Sequence, residues 1–156
     1  MATQLTDHFT LEEMCRSDTA TRLGINNIPN DDEIIENIKS LCLQILEPVR
    51  THFDTPFSPN SGYRCSALNK SIGSSLKSQH LKGQAADIEV PGVDNSTLAE
   101  WIRDNCTFDQ LILEFYKPGE PTSGWVHASF ITPGYGENRA ECVTFDGNAY
   151  YAGLHT

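Results

Sequence analysis

The residues best suited to chemistry in this sequence are a histidine and an aspartate, His80 and Asp87, seven positions apart. Neutral imidazole and carboxylate are both ligands that zinc accepts in proteins. Gly83 lies between them, and Ile88-Glu89-Val90 continues the segment with strand-like composition. We therefore expect a turn that carries His80, a bend at Gly83 and a strand that begins near Asp87.

A second pair of candidate residues lies on two predicted strands, at 108–116 and 124–131, which should pair antiparallel around an intervening turn. Side chains alternate between the two faces of a strand. The alternation places the apolar side chains of both strands on one face: Leu111, Leu113, Phe115, Val126, Ala128 and Phe130. Glu114 and His127 should then emerge together on the opposite face.

His127 would complete a set of three metal ligands with His80 and Asp87. Three protein ligands and one open position are typical of catalytic zinc sites, whereas structural sites are closed by a fourth ligand. Glu114, outside the ligand set, would take a proton from water and pass it to a leaving amine. Each residue taken singly also fits a structural role, as a hydrogen-bonded histidine, an ion-pair partner or a turn cap.

Helices and turns must position these residues. Thr10 and Glu13 predict a capping box at the start of a short helix that ends near Ser17, followed by a polar loop. Asn30 or Asp31 then caps a long helix with a continuous apolar stripe, whose last turn Pro48 should weaken or bend.

Four further elements complete the predicted order. An extended segment at 57–64 is followed by a short helix capped by Ser66, and a helix at 95–105 is capped by Asn95 or Ser96. A hairpin closes the chain around Asp146-Gly147-Asn148.

Composition bounds the class of protein. The 156 residues suit a single domain, 1–156. A net charge of -10 argues against a nucleic-acid partner, which would need a basic patch. No apolar run is long enough for a membrane span, and the first residues do not form a classical signal peptide, so we expect synthesis in the cytoplasm and no membrane partner.

The five cysteines form no Cys-x-x-Cys motif and are expected to be reduced thiols without a chemical role.

The combined order of motifs resembles the zinc D-Ala-D-Ala carboxypeptidases (peptidase family M15), whose relatives include phage endolysins, vancomycin-resistance dipeptidases and the hedgehog signalling domain. The motifs that carry the resemblance are Ser61-Gly62-Tyr63-Arg64, Ser78-Gln79-His80, Gly83-Gln84-Ala85-Ala86-Asp87-Ile88, Gln110-Leu111-Ile112-Leu113-Glu114 and Trp125-Val126-His127. The opening Phe9-Thr10-Leu11-Glu12-Glu13 is similar to the phage and bacterial branch.

The resemblance implies an α+β fold with helices on one side of a small, mainly antiparallel sheet. It also implies one Zn²⁺ per chain, held by His80, Asp87 and His127, with Arg64 as the substrate-binding arginine. Many relatives place an acidic residue three positions before the last histidine. That position is Gly124 here, and Glu114, across the hairpin, looks like the equivalent catalytic residue.

The implied activity is hydrolysis of peptide bonds in peptidoglycan stem peptides by a monomer. Both D-Ala-D-Ala carboxypeptidase and L-Ala-D-Glu endopeptidase activity fit the motifs. The missing signal peptide fits a phage endolysin that reaches the wall on release, and equally an intracellular dipeptidase. The alternatives are a phage structural component that penetrates the wall and a catalytically silent zinc-binding recognition module.

Overall fold

The computed structural model describes residues 2–156, so Met1 of the predicted domain lies outside it. The architecture is α+β, with a five-stranded, mainly antiparallel sheet, which confirms the fold class predicted from the sequence. The strands are β1 (Ala85–Ile88), β2 (Gln110–Glu114), β3 (Trp125–Ser129), β4 (Glu141–Phe145) and β5 (Tyr150–Ala152). The α-helices among these residues are α1 (Leu11–Met14), α2 (Asp18–Leu23), α3 (Asp32–Leu41), α4 (Glu47–Phe53), α5 (Ser66–Ser71) and α6 (Asn95–Asn105).

The sheet has the strand order β1-β3-β2-β4-β5. The pairing of β2 with β3 and that of β4 with β5 are both antiparallel, which confirms the two predicted hairpins. Strand β4 lies parallel to β2, a pairing that the sequence pattern did not indicate.

The hydrophobic core lies between one face of the sheet and helices α1, α3, α4 and α6. Strands β1, β2 and β3 contribute alternate residues to this core: Ala86, Ile88, Leu111, Leu113, Val126 and Ala128. The residues that alternate with them, including Asp87, Glu114 and His127, therefore stand on the other face.

The N-terminal region confirms one prediction and corrects another. The capping box is present, because Glu13 N–H donates to the Thr10 hydroxyl at 3.2 Å and Thr10 N–H donates to the Glu13 carboxylate at 2.8 Å. Helix α1 ends at Met14, earlier than the expected end near Ser17. The Ser17 hydroxyl instead accepts from Ala20 N–H and caps α2, which lies in the predicted polar loop.

The predicted long helix begins after the cap residue Asp31 and continues to Phe53, interrupted by a π-helical turn at Cys42–Leu46. Pro48 has no N–H to donate to the carbonyl one turn earlier, and its ring would clash with that carbonyl. A wider π turn just before Pro48 relieves this conflict. The disturbance predicted at Pro48 is therefore a switch from α-helix to π-helix, and the helical segment continues through it.

Two other caps were predicted one or two residues too late in the chain. The Asp94 carboxylate, rather than Asn95 or Ser96, accepts from Ser96 N–H at 2.8 Å and caps α6. Ser66 is the first residue of α5, and the cap position before it, Cys65, makes no side-chain capping bond.

Phe115 was predicted on the core face and lies elsewhere. Its φ of 56° is left-handed, which ends the regular alternation of β2 immediately after Glu114. Phe115 is 42% exposed as a result.

The five cysteines lie among the described residues as free thiols. Burial raises the pKa of the Cys15 thiol to about 12, so the reactive thiolate is scarce at neutral pH. Titration of denatured, unreduced protein with a thiol reagent is expected to find about five reactive groups. A single reactive group would mean two disulfides and contradict the expectation.

Among the described residues, no helix combines the length and apolar character needed to cross a membrane.

Candidate metal centre and active site

The chain reverses between His80 and Asp87 in the way that the sequence predicts. His80 lies in a 3₁₀ helix (Gln79–Lys82), and Gly83 follows with a left-handed φ of 72° before β1 begins. A Cβ atom on Gly83 would lie 2.9 Å from the carbonyl oxygen of Ile34, so the bend packs directly against α3. Glycine at this position permits both the conformation and the close approach.

The structure brings His80, Asp87 and His127 together. Asp87 on β1 is directly opposite His127 on β3. The Asp87 Oδ1 atom lies 3.1 Å from His127 Nδ1 and 3.6 Å from His80 Nε2. One potential ligand atom from each residue lies within 4.8 Å of the other two, so the three side chains could hold a metal ion.

His80 is fixed in the orientation and protonation state that a metal ligand requires. Its Nδ1 lies 2.7 Å from the carbonyl oxygen of Gly62, which can only accept, so Nδ1 carries the hydrogen. The lone pair of Nε2 is left facing Asp87. Burial lowers the pKa of His80, which favours the neutral imidazole.

Asp87 is held as a carboxylate. Burial alone would raise its pKa, but the hydrogen bond with His127 and the nearby imidazole of His80 outweigh burial and hold the pKa well below the ordinary value. Its backbone is also fixed on the free edge of β1, where Asp87 N–H donates to the carbonyl of Ser61 at 2.8 Å. The predicted extended segment at 57–64 therefore serves to position this residue.

Glu114 stands on the same face of the sheet as His127, as predicted. Ile112 of β2 is opposite His127, and Glu114, two residues further, is opposite Trp125. Burial, and secondarily the charge of Asp87, raise the pKa of Glu114 to about 7, while His127 and Arg64 act in the opposite direction. A carboxyl group with a pKa near neutrality can both accept and release a proton.

Gly124 shows why an acidic side chain is absent three positions before His127. Its φ is 63°, and a Cβ atom there would lie only 1.9 Å from the carbonyl oxygen of Glu114. No side chain fits without a shift of the backbone. The nearby carboxylate on this face is therefore supplied by Glu114 from the facing strand.

Arg64 lies in the same cleft, half-buried beside the three clustered residues. The cleft has a volume of about 780 Å³, and its lining includes Arg64, His80, Asp87, Glu114 and His127. Arg64 Nη2 donates to the Ser78 hydroxyl at 3.3 Å, and its Nε has no partner among the described residues. The guanidinium thus keeps donors for a ligand.

The sequence interpretation missed a buried carboxylate at the edge of this cleft. Asp109 accepts from Gln79 Nε2 at 2.9 Å and from both Nε and Nη2 of Arg139 at 2.9 Å. These bonds tie the 3₁₀ helix that carries His80 to the segment that precedes β4. Asp109 immediately precedes the apolar strand β2 and has no recognisable partner in the sequence, so only tertiary structure reveals its role.

The fold and this cleft define an α+β protein with a candidate mononuclear metal site. The sequence matches the family described as Peptidase M15 over residues 7–127, and the chain belongs to that family. The matched region includes all three clustered residues, Arg64 and Glu114, and ends before β4. Among curated proteins, none matches the sequence.

In the metal-free protein, Glu114→Gln is expected to increase the free energy of unfolding at alkaline pH. The pKa of Glu114 is raised from 4.5 to about 7 on folding, so the stability that this group contributes is present below pH 4.5 and is lost as the pH rises through 7. Glutamine avoids that loss. The variant should exceed wild type by on the order of 2 kcal/mol at pH 8 and by little at pH 5.

Urea denaturation of both proteins in a chelating buffer measures this difference. A stability difference that is the same at pH 5 and pH 8 would contradict the expectation.

Proposed function

We propose that this protein is a zinc peptidase that hydrolyses peptide bonds in the stem peptides of bacterial peptidoglycan. One observation carries the proposal: a chain of the Peptidase M15 family places His80, Asp87 and His127 within ligand distance of one another, in a cleft that Glu114 and Arg64 also line.

The donor set fits zinc. Two imidazoles and one carboxylate are common zinc ligands, and three protein ligands leave a position open for substrate. The bond from His80 to the Gly62 carbonyl is the kind of supporting contact that orients a metal-bound histidine. Zinc bound by these residues would supply Lewis-acid chemistry, polarising a peptide carbonyl.

Glu114 is proposed as the general base and acid. It would remove a proton from the attacking water and deliver that proton to the amine that leaves when the peptide bond breaks. Three observations support this role: Glu114 shares a face of the sheet with His127, it is partly buried, and its pKa is raised. Because Glu114 is not one of the clustered residues, its carboxylate remains available for proton transfer.

Arg64 is proposed to hold a carboxylate or carbonyl group of the substrate. Its planar fork can make two parallel hydrogen bonds to a carboxylate and stays charged at physiological pH. Tyr63, the preceding residue, is buried in the core and anchors the backbone that presents Arg64 to the cleft.

The proposal also covers which bond is cut and what biological role the protein has. Both the D-Ala-D-Ala bond and the L-Ala-D-Glu bond are within the proposed chemistry. We further propose that the protein acts as a monomer and that it is a phage endolysin, made in the cytoplasm and acting on the wall after release.

Digestion of purified peptidoglycan, followed by mass spectrometry of the products, tests this function. We expect zinc-loaded protein either to remove a terminal D-alanine or to expose a new amino terminus within the stem peptide, and the mass identifies which bond was cut. Glu114→Gln protein serves as the inactive control. Peptidoglycan that is unchanged after treatment with zinc-loaded wild type would overturn the proposal.

A further inference from the structure

A row of aromatic side chains crosses the sheet beside the candidate metal centre. Residues directly opposite in neighbouring strands stand on the same face of a sheet. Glu114 is opposite Trp125 on one side and Phe145 on the other, and Phe145 is opposite Tyr150. Three aromatic residues therefore share the face that carries Glu114 and His127.

Phe115 joins this row because of its left-handed backbone. A regular strand would direct its ring into the core, but φ is 56° and the ring centroid lies 5.1 Å from that of Trp125 and 5.3 Å from that of Phe145. A bulky residue rarely adopts this conformation, because it strains the backbone. As a result, the ring of Phe115 is partly exposed, whereas a regular strand would bury it in the core.

These four residues, Phe115, Trp125, Phe145 and Tyr150, form what we call the aromatic platform. Phe115 is 42% exposed and Tyr150 is 66% exposed, and the Tyr150 ring stacks on Phe145 with centroids 4.4 Å apart. Contiguous exposed apolar surface of this kind marks interaction sites. Trp125 and Tyr150 line the same cleft as His80, Asp87 and His127, so the platform continues the candidate active site.

The chemistry of the platform suits a neutral ligand with flat apolar faces and polar edges. None of its four side chains is charged, and the exposed tyrosine brings a hydroxyl group. Aromatic faces carry partial negative charge and attract the slightly positive C–H groups of a sugar ring. From β3 to β5 the row spans three strand spacings, about 14 Å. It therefore forms a long, open surface and not an enclosed pocket for one side chain.

We propose that the aromatic platform is a saccharide-binding subsite that stacks against a hexosamine of the glycan strand next to the peptide being cut. This inference rests on the proposed function, since the stem peptides of peptidoglycan are attached to such sugars. It assigns the strands β4 and β5 to substrate selection, although they lie beyond the residues that match the family.

The test compares two substrates, a stem peptide that carries its sugar and the same peptide without it. For Tyr150→Ala, kcat/KM for the sugar-bearing peptide should fall roughly tenfold, the worth of one good aromatic contact, while the sugar-free peptide is cut at the wild-type rate. Tyr150→Trp should restore the preference.

Tyr151→Ala is the matched control. Tyr151 is the next residue of β5, lies opposite the buried Thr144 and so stands on the other face of the sheet. Its replacement should leave the activity on both substrates unchanged. A wild-type enzyme without preference for the sugar-bearing peptide, or an equal loss on both substrates in Tyr150→Ala, would overturn the proposal.

A second measurement separates this inference from the proposed function. Titration of wild-type protein with a neutral oligomer of N-acetylglucosamine should change tryptophan fluorescence saturably, and Tyr150→Ala should weaken that binding roughly tenfold. This result would support the subsite even if no peptide were cut. Absence of binding to wild type, or equal binding to both proteins, would overturn it.

Discussion

Replacement of Glu114 by glutamine is expected to lower kcat by about 10²–10⁴-fold, the usual contribution of a positioned general base. Glutamine keeps the size of the side chain but cannot accept and return a proton. The metal content should equal that of wild type, because Glu114 lies outside the His80–Asp87–His127 cluster.

The control for this variant is Glu137→Gln. Glu137 lines the same cleft, and its side chain is exposed, so the variant removes the same charge without touching the proposed machinery. Its activity should stay near that of wild type. Near-normal turnover by Glu114→Gln would move the general base to another residue.

Replacement of Arg64 by lysine is expected to lower kcat/KM by roughly 10–100-fold, the worth of a charge-assisted hydrogen bond. Lysine keeps the charge but loses the planar fork that can bind a carboxylate with two bonds. The zinc content should not change, because arginine is not a ligand. Arg103→Lys, on the exposed surface of α6, provides the matched control.

A substrate series makes the Arg64 variant more informative. If the enzyme is a carboxypeptidase, amidation of the C-terminus of the peptide removes the partner of Arg64, and wild-type activity should fall towards that of the lysine variant. If it is an endopeptidase, amidation of that distant end should matter little. Equal activity of wild type and Arg64→Lys on every peptide would exclude a binding role.

The sequence was most informative where local patterns and the site coincide. The alternation along β2 and β3 placed Glu114 and His127 on one face, and the register between the strands confirms it. Gly83 was recognised as the bend that brings His80 back over β1. Both features depend on short-range geometry, which residue type and spacing strongly constrain.

Features set by tertiary contacts were not predictable in the same way. The alternation of β2 predicted a buried Phe115. In the structure Phe115 has a left-handed backbone, and its ring packs against Trp125 and Phe145, contacts that no local pattern in the sequence indicates. Asp109 gave no signal because its partners, Gln79 and Arg139, lie 30 residues away on either side. The parallel pairing of β4 with β2 likewise joins segments that no local pattern connects.

The most direct test of the central claim is the zinc content of the purified protein, measured by inductively coupled plasma mass spectrometry after loading and dialysis. Wild type is expected to retain about one zinc per chain, as a three-ligand site should. His80→Ala, Asp87→Ala and His127→Ala should each lose most of it, whereas His155→Ala, which removes an exposed histidine outside the cluster, should keep it. Wild-type protein without zinc, or full zinc content in all three cluster variants, would contradict the account.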